Sequence, residues 1–416
     1  MNLSTKKNVI VGLEIGTTKI IVSIGEILQD GIIDIIGFGE CNALGIEKGK
    51  INNLELLIEC INKSIHEAEV MAKYKIYSVY LTISHEEIHC QNEIGIIPIK
   101  KKEVTKKDID AVIKIAKSVK INNDHNILHI IPQEFSIDKQ SGIKNPIGLS
   151  GIRIQANIHL ITCNKNIKKN IIKAIKKCGI YVRKTIFTGL ASSFSVLTEE
   201  EKNANVCLID IGGENMNVCM YIKGSLYHNF VIPYAGNTIT RDIAYAFSLP
   251  YSDAEFIKKK YGYAIEDISI TCKNLEIFNQ KGEKIINCYY HSLVEVIEPR
   301  CIELFNLVKN EILKLYSKNN IKNINNQILS NIVLTGGSSK IKSLSQCAKR
   351  IFNSNIKIKK PCNMSKIPKY LSKPEYSTIV GLLYYGKKHQ QCYSQNKKKH
   401  GFLKYLLNQM KDWLTR

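Results

Sequence analysis

The stretch CLIDIGGENMNVCMYIKG, Cys207 to Gly224, reads as a buried strand, a tight glycine turn and a returning strand. The N-terminal region repeats the pattern in VIVGLEIGTTKIIVSIGEI, Val9 to Ile27. Glu14-Ile15-Gly16 falls over Asp210-Ile211-Gly212, so each copy sets one carboxylate just before its turn. Backbone N–H groups converging on such a turn form a concave, partly positive site for phosphate oxygens. Glycine lets the backbone approach a ligand closely, and a carboxylate before the turn can hold Mg²⁺, usually through water. One such hairpin is a weak signal; two facing each other would grip a polyphosphate from both sides. A third element, Val333-Leu334-Thr335-Gly336-Gly337-Ser338, is a buried strand running through Gly-Gly into a helix, the arrangement that lays backbone against a purine.

At 416 residues the chain is long enough for at least two cores. Hydrophobic content of 44% and charged content of 23% are those of a globular protein, which excludes extensive disorder. The net charge of +22 raises nucleic acid or an anionic membrane as partners. Lys, Ile and Asn are abundant throughout, as an AT-rich genome produces. Runs such as Lys100-Lys101-Lys102 and Lys258-Lys259-Lys260 are short and lack interleaved aromatics, so they read as solvated faces and nucleic acid is not expected. The 13 Cys are scattered without a CxxC, which fits reduced thiols in cytoplasm rather than a disulfide framework. No apolar run approaches the ~20 residues that span a bilayer, and the N-terminus reads as a first strand, not a signal peptide.

Along the chain, residues 8–40 are hairpin strands, and Asn53 to Met71 has helical apolar spacing. Residues 85–162 hold several strands and one helix near Lys106 to Val119, a plausible inserted module. Ser252 to Leu293 reads as polar and irregular, and Val294 to Leu315 as a helix with Pro299 near its start. YSTIVGLLYYG is a last buried helix, and Gly386 to His400 a basic linker. HEEIH, His85 to His89, matches a zinc-protease pattern, but that chemistry needs a helix and the flanks are strand-like. His125 and His129 read as structural or surface residues.

The order of the three glycine sites is that of the actin-like ATPase superfamily. GLEIGTTKI, CQNEIGIIPI, HIIPQEFSID, GIKNPIGLSGIRIQANIHLITC, TGLASSFSVLTE, IPYAGNTITRDIAYAF, SDAEFIKKKYG, EVIEPRCIELF and VLTGGSSKI together resemble the FtsA family of bacterial cell-division proteins, along essentially the whole chain. The resemblance implies an α/β, actin-like (ribonuclease-H-like) duplicated two-domain fold with an inserted α+β subdomain and a C-terminal amphipathic helix. It implies a first half at 8–84 and 163–204, the insert at 85–162, a second half at 205–251 and 328–385 with a small subdomain at 252–327, a basic linker at 386–400 and a membrane-targeting helix at 401–416. It further implies ATP and Mg²⁺ in the cleft with weak or no hydrolysis, and self-association into filaments. The partners implied are FtsZ, later division proteins and anionic inner-membrane lipid, at the cytoplasmic face of the division site. By the same resemblance Gly16, Thr17 and Thr18 form the first phosphate loop and Asp210, Gly212 and Gly213 the second. Gly236 lies near the nucleotide, Gly336 and Gly337 meet adenosine, and Glu14 and Asp210 hold Mg²⁺ through water. Arg300 and Glu303 fall where family members bind the FtsZ tail, and no catalytic residue is assigned.

One departure stands out. The family's second loop reads Gly-Gly-Gly-Thr with an Asp two residues on; here it is Gly212-Gly213-Glu214-Asn215, then Asn217. Glu214 would add negative charge beside the phosphates and lacks a glycine's freedom; a non-glycine residue held at positive φ costs about 1–2 kcal/mol. Weaker nucleotide binding and weak or no hydrolysis are expected.

The last segment, GFLKYLLNQMKDWLTR, is amphipathic at helical period. Phe402, Leu406, Met410 and Trp413 form one stripe, flanked by Leu403, Leu407 and Leu414. Lys404, Asn408, Lys411, Asp412 and Thr415 take the other side. The rival readings are a sugar kinase of the same fold and a filament or pilus-assembly ATPase. A chaperone of this fold would need a large domain after the ATPase, and only about 30 residues follow Gly386. Ring localisation in dividing cells against phosphorylation of a sugar separates the readings.

Overall fold

The computed structural model describes residues 8–265, 274–278, 284–319, 330–363 and 367–391. The terminal segment 401–416 therefore lies outside the described residues.

Two five-stranded sheets carry the same topology. In the first, Val9–Ile15, Lys19–Ile27 and Ile33–Asn42 run antiparallel, and Ser78–Ile83 then Tyr181–Phe187 continue the other side in parallel. In the second, Val206–Ile211, Met216–Ile222 and Ser225–Ile232 form the antiparallel set, and Asn331–Thr335 then Asn355–Ile358 the parallel one. The register places Glu14 opposite Ile21 and Asp210 opposite Asn217, each one pair short of its turn. The duplication read in the sequence is thus a duplication of sheet order and of carboxylate position. The first strand of each sheet, Val9–Ile15 and Val206–Ile211, is buried on both faces along most of its length, which is why each reads as a continuous apolar run.

Two helices join the halves, Thr188–Val196 and residues 377–391. They cross at Gly381, where a Cβ would stand 1.8 Å from the Ala191 carbonyl oxygen, so only glycine permits the approach. The second helix extends to residue 391, beyond the linker boundary expected at 386. Tyr385 and His389 pack against Tyr80, and Gly386 leaves room for Tyr80 and Ile10, so the aromatic contacts carry the helix onward.

Residues 86–164 form a four-stranded antiparallel sheet with helix Lys106–Ala116 and its own apolar core. This module touches the second half as well as the first. Asn92 and Gln133 donate side-chain N–H bonds to the Tyr227 and Leu226 carbonyls at 3.0 and 2.8 Å, and Ser225 donates to the Gln133 carbonyl at 2.7 Å. His85 to His89 is a turn entering strand Ile88–Pro98, so the two histidines share no helix face. His129 is buried and accepts from the Phe187 N–H at 3.0 Å.

The segment expected to be irregular after Ser252 instead holds helix Tyr251–Tyr261 and hairpin strands Asn274–Phe278 and Lys284–Tyr289. Ala254 and Ile257 at helical spacing supply the buried face that its lysine content hides. Helix Tyr290–Asn319 follows, with Pro299 inside it. The described cysteines form no disulfide. Among the described residues no helix is long and apolar enough to cross a membrane.

Candidate functional site

The two glycine turns meet at the floor of a cleft of about 390 Å³, within the range of small-ligand sites. Glu14, Gly16, Thr17, Thr18, Asp210, Gly212, Gly213, Gly336 and Gly337 all line it. Gly236 does not. It opens helix Gly236–Ala246 behind the second loop, donates its N–H to the Gly212 carbonyl at 3.2 Å, and would place a Cβ 2.0 Å from Ser338 Oγ. Asn237, next in sequence, reaches the cleft instead.

The loops interlock. A Cβ on Gly213 would lie 2.4 Å from Thr18 Cγ2 and 3.1 Å from Thr17 Oγ1. The Glu214 N–H donates to Thr17 Oγ1 at 3.2 Å. Gly336 is held at φ 89°, a left-handed value that favours glycine, and its Cα backs onto Asp210 and the Ile211 backbone. Gly337 has open space where a Cβ would stand, with only Glu375 Cβ at 3.7 Å.

Glu14 and Asp210 are brought together beneath the loops. Ser192 donates to Asp210 Oδ2 at 2.5 Å and Thr378 at 3.3 Å, so each of the two joining helices orients this carboxylate. Burial, and after it the Asp210 charge, push the Glu14 carboxyl up to about 8 against an opposing hydrogen bond with Thr378. Burial also raises Asp210, against the Ser192 and Thr378 hydrogen bonds. Glu14 Oε2 is buried without a hydrogen-bond partner. Two buried acids sharing too little positive charge fit a divalent cation reached through water. Among the described residues no group of three or more His, Cys, Asp or Glu is placed to hold a metal directly.

Glu214 is not where the sequence expectation put it. Its carboxylate turns out of the cleft toward the first half, accepting from the Lys48 N–H at 2.6 Å and from the Arg241 guanidinium at 2.8 Å. Neither Gly212, Gly213 nor Glu214 has positive φ, so the loop needs no glycine freedom at 214. Asn215 Nδ2 donates to the Ser84 carbonyl at 3.2 Å, and Ser84 Oγ donates to Asn217 Oδ1 at 2.6 Å. All three departures from the family pattern thus bond to Lys48 or Ser84 across the cleft floor and clasp the two halves together. Glu214→Gly should lower thermal stability by about 1–3 kcal/mol through the unpaired Lys48 N–H, the half-exposed Arg241 adding little. Nucleotide affinity in that variant should stay equal or fall; tighter binding by calorimetry would return the charge to the phosphates.

The sequence reading missed the cleft wall formed by helix Tyr251–Tyr261. Lys258, expected on a solvated face, is buried; its Nζ pairs with Glu255 at 2.6 Å and donates to the Gly236 carbonyl at 3.0 Å. Burial pulls its pKa below the usual lysine value and Glu255 opposes the shift. Glu255, Lys258 and Lys259 stand at i, i+3 and i+4, a spacing that could have marked one face. Lys340, paired with Glu375 at 2.9 Å, and Lys19, paired with Glu40 at 2.8 Å, add cations to the rim. Arg300 and Glu303 lie elsewhere, on helix Tyr290–Asn319. Arg300 forks onto Asp242 with Nε at 2.5 Å and Nη2 at 3.1 Å, and also pairs with Glu303. It clasps this helix to Gly236–Ala246, while Glu303 remains exposed.

A family model described as "Cell division protein FtsA" matches residues 207–381, and one described as "SHS2 domain inserted in FTSA" matches residues 86–162. The FtsA of Buchnera aphidicola subsp. Schizaphis graminum is 50% identical over the full length of both chains. The chain belongs to the FtsA family. The FtsA of Escherichia coli K12 is 48% identical over 92% of this chain and 91% of its own. Among solved structures, a chain of the PilM–PilN type IV pilus biogenesis complex superposes with TM-score 0.63 at 15% identity, over 91% of this chain and 98% of that one. MreB5 of Spiroplasma citri bound to AMPPNP gives 0.55 at 13% identity, over 93% and 98%. The protein is therefore an actin-like cell-division protein of the FtsA type.

Proposed function

We propose that the chain binds Mg·ATP between its two glycine loops and, so loaded, self-associates and tethers FtsZ filaments to the cytoplasmic face of the inner membrane. The observation that carries the nucleotide part is the buried Glu14 and Asp210 pair beneath two interlocked glycine turns. A fold neighbour bound to AMPPNP supports it. Glu14 and Asp210 would hold Mg²⁺ through water, and the loop N–H groups would hold the phosphates, for which the cation supplies charge neutralisation. Asn215 and Asn217 are amides and the Glu214 carboxylate is turned onto Lys48 and Arg241, so the second loop offers the cleft no carboxylate beyond Asp210, in keeping with weak or absent hydrolysis.

The test follows from proton linkage. The folded Glu14 carboxyl sits at about 8, above its ordinary value of 4.5, so the folded chain holds a proton that the unfolded chain has lost between those values. Stability of the ligand-free chain should fall as pH rises through that window. A cation held by Glu14 would require its carboxylate ionised, so calorimetry near pH 7 in buffers of different ionisation enthalpy should report proton release on Mg·ATP binding. Glu14→Gln should remove that release. Release unchanged in the variant would place the cation elsewhere.

Self-association and contacts with later division proteins are read to the insert, where edge strand Ile88–Pro98 exposes Ile94 and Ile96. FtsZ is read to the Arg300 and Glu303 region. Glu303→Lys should weaken binding of an FtsZ tail peptide about tenfold with no change in melting, whereas Arg300→Ala should also lower the melting temperature by stranding Asp242. Fluorescence anisotropy with parallel thermal melts checks both; equal peptide affinity in Glu303→Lys would move the site. The membrane part rests on residues 401–416.

A further inference from the structure

Between Asp138 and Glu199 the sequence has no Asp or Glu, yet it has eleven Lys and Arg. After Glu375 the next acid is Asp412. A general excess of lysine adds cations; it does not clear acids from such stretches when the chain holds 37 of them in 416 residues.

Folding brings the two acid-free segments together where the described chain ends. Helix 377–391 lays Tyr385 beside His129 and Phe194, with ring centroids 6.3 and 6.2 Å apart. Lys117 and Lys184 line, with His129 and Tyr385, an open pocket of about 530 Å³. Lys168 and Lys184 stand near enough to His129, and Arg183 and Lys184 to His389, for their charges to disfavour each imidazolium. Lys388 lies over the Phe194 ring at 5.3 Å. Lys117, Arg183, Lys184 and Lys388 are exposed. None of these four forms an ion pair among the described residues, and the neighbouring Glu199 is held by Lys202 at 2.9 Å.

Position decides what this face meets. The amphipathic segment begins ten residues beyond residue 391, and a chain of that length reaches at most ~35 Å. Whatever surface holds the tail is therefore kept close to this face at high effective concentration. We propose that the basic face around Lys117, Lys184 and Tyr385 docks directly on an anionic phospholipid bilayer, with lipid phosphates seated between the two lysines, so that body and tail grip the membrane together. This rests on the reading of residues 401–416 as a membrane helix.

The test is flotation of the full-length chain with two kinds of vesicle, phosphatidylcholine alone and phosphatidylcholine with about one-third phosphatidylglycerol. Each cation near an anionic surface is worth about fivefold, so Lys117→Gln with Lys184→Gln should lower partitioning onto the anionic vesicles about 30-fold. Partitioning onto phosphatidylcholine should not change. Lys168→Gln with Lys388→Gln repeats the test with two further cations of this face, near His129 and Phe194. Lys100→Gln with Lys101→Gln makes the same charge change at the far end of the insert's sheet and should cost nothing. Wild-type partitioning by both lysine pairs, with loss only in Trp413→Glu, would overturn the docking face and leave the tail as sole anchor, as would a loss equal to that of the Lys100 and Lys101 control. Loss in the lysine pairs but not in Trp413→Glu would sink the tail reading and keep the face.

Discussion

Gly213→Val should reduce Mg·ATP affinity at least ~100-fold while the chain stays folded. The valine Cβ would begin 2.4 Å from Thr18 Cγ2 and 3.0 Å from Asn237 Oδ1, and its methyls would reach further. The first loop, the second loop and the start of helix Gly236–Ala246 must then part. Hydrogen bonds to a charged ligand are each worth about 1.5–3 kcal/mol, and a displaced loop loses at least one from each side of the phosphates. The fold should survive because the clash lies in the cleft, outside the apolar clusters that stabilise each half. Calorimetry for affinity and circular dichroism for the fold check this. Affinity within threefold of wild type would mean that the nucleotide does not use these loops. Gly336→Asp is a poorer probe of the same site, because the left-handed backbone at φ 89° and the contact with Asp210 would damage the sheet itself.

Trp413→Glu should lower partitioning onto anionic vesicles about 100-fold and leave Mg·ATP binding intact. Trp413 is the protein's only tryptophan and closes the stripe begun by Phe402, Leu406 and Met410. Its ring suits the headgroup boundary. Replacement removes roughly 2 kcal/mol of buried apolar surface and adds a charge repelled by anionic lipid, worth about another 1 kcal/mol. In the proposed membrane helix Lys404 and Lys411 would take the polar side and, with Lys397, Lys398 and Lys399 before it, would give the attraction that this charge opposes. A single short amphipathic helix binds reversibly, so assembly of many copies should make the wild-type loss of contact rare through avidity. Full flotation of the variant would make the tail a packed helix.

Much of this protein was legible in its sequence. The two acid-plus-glycine hairpins, the Gly336-Gly337 turn and the alternation of strand and helix reflect local chemistry: glycine where backbones must approach, Ile and Val where strands are buried, helical spacing where one face packs. The motifs sufficed for the family, the fold and the glycine-loop residues of the cleft other than Gly236. Three things needed the tertiary structure. The direction of Glu214 was one, since a loop sequence does not say whether a side chain faces its ligand or the opposite domain; Lys48 and Arg241, distant in sequence, decide it. The burial of Lys258 was another, because a lysine run looks solvated until Glu255 and the Gly236 carbonyl supply its partners. The basic face was the third: Lys117, Lys184 and helix 377–391 come from separate segments, and only chain folding sets their charges side by side.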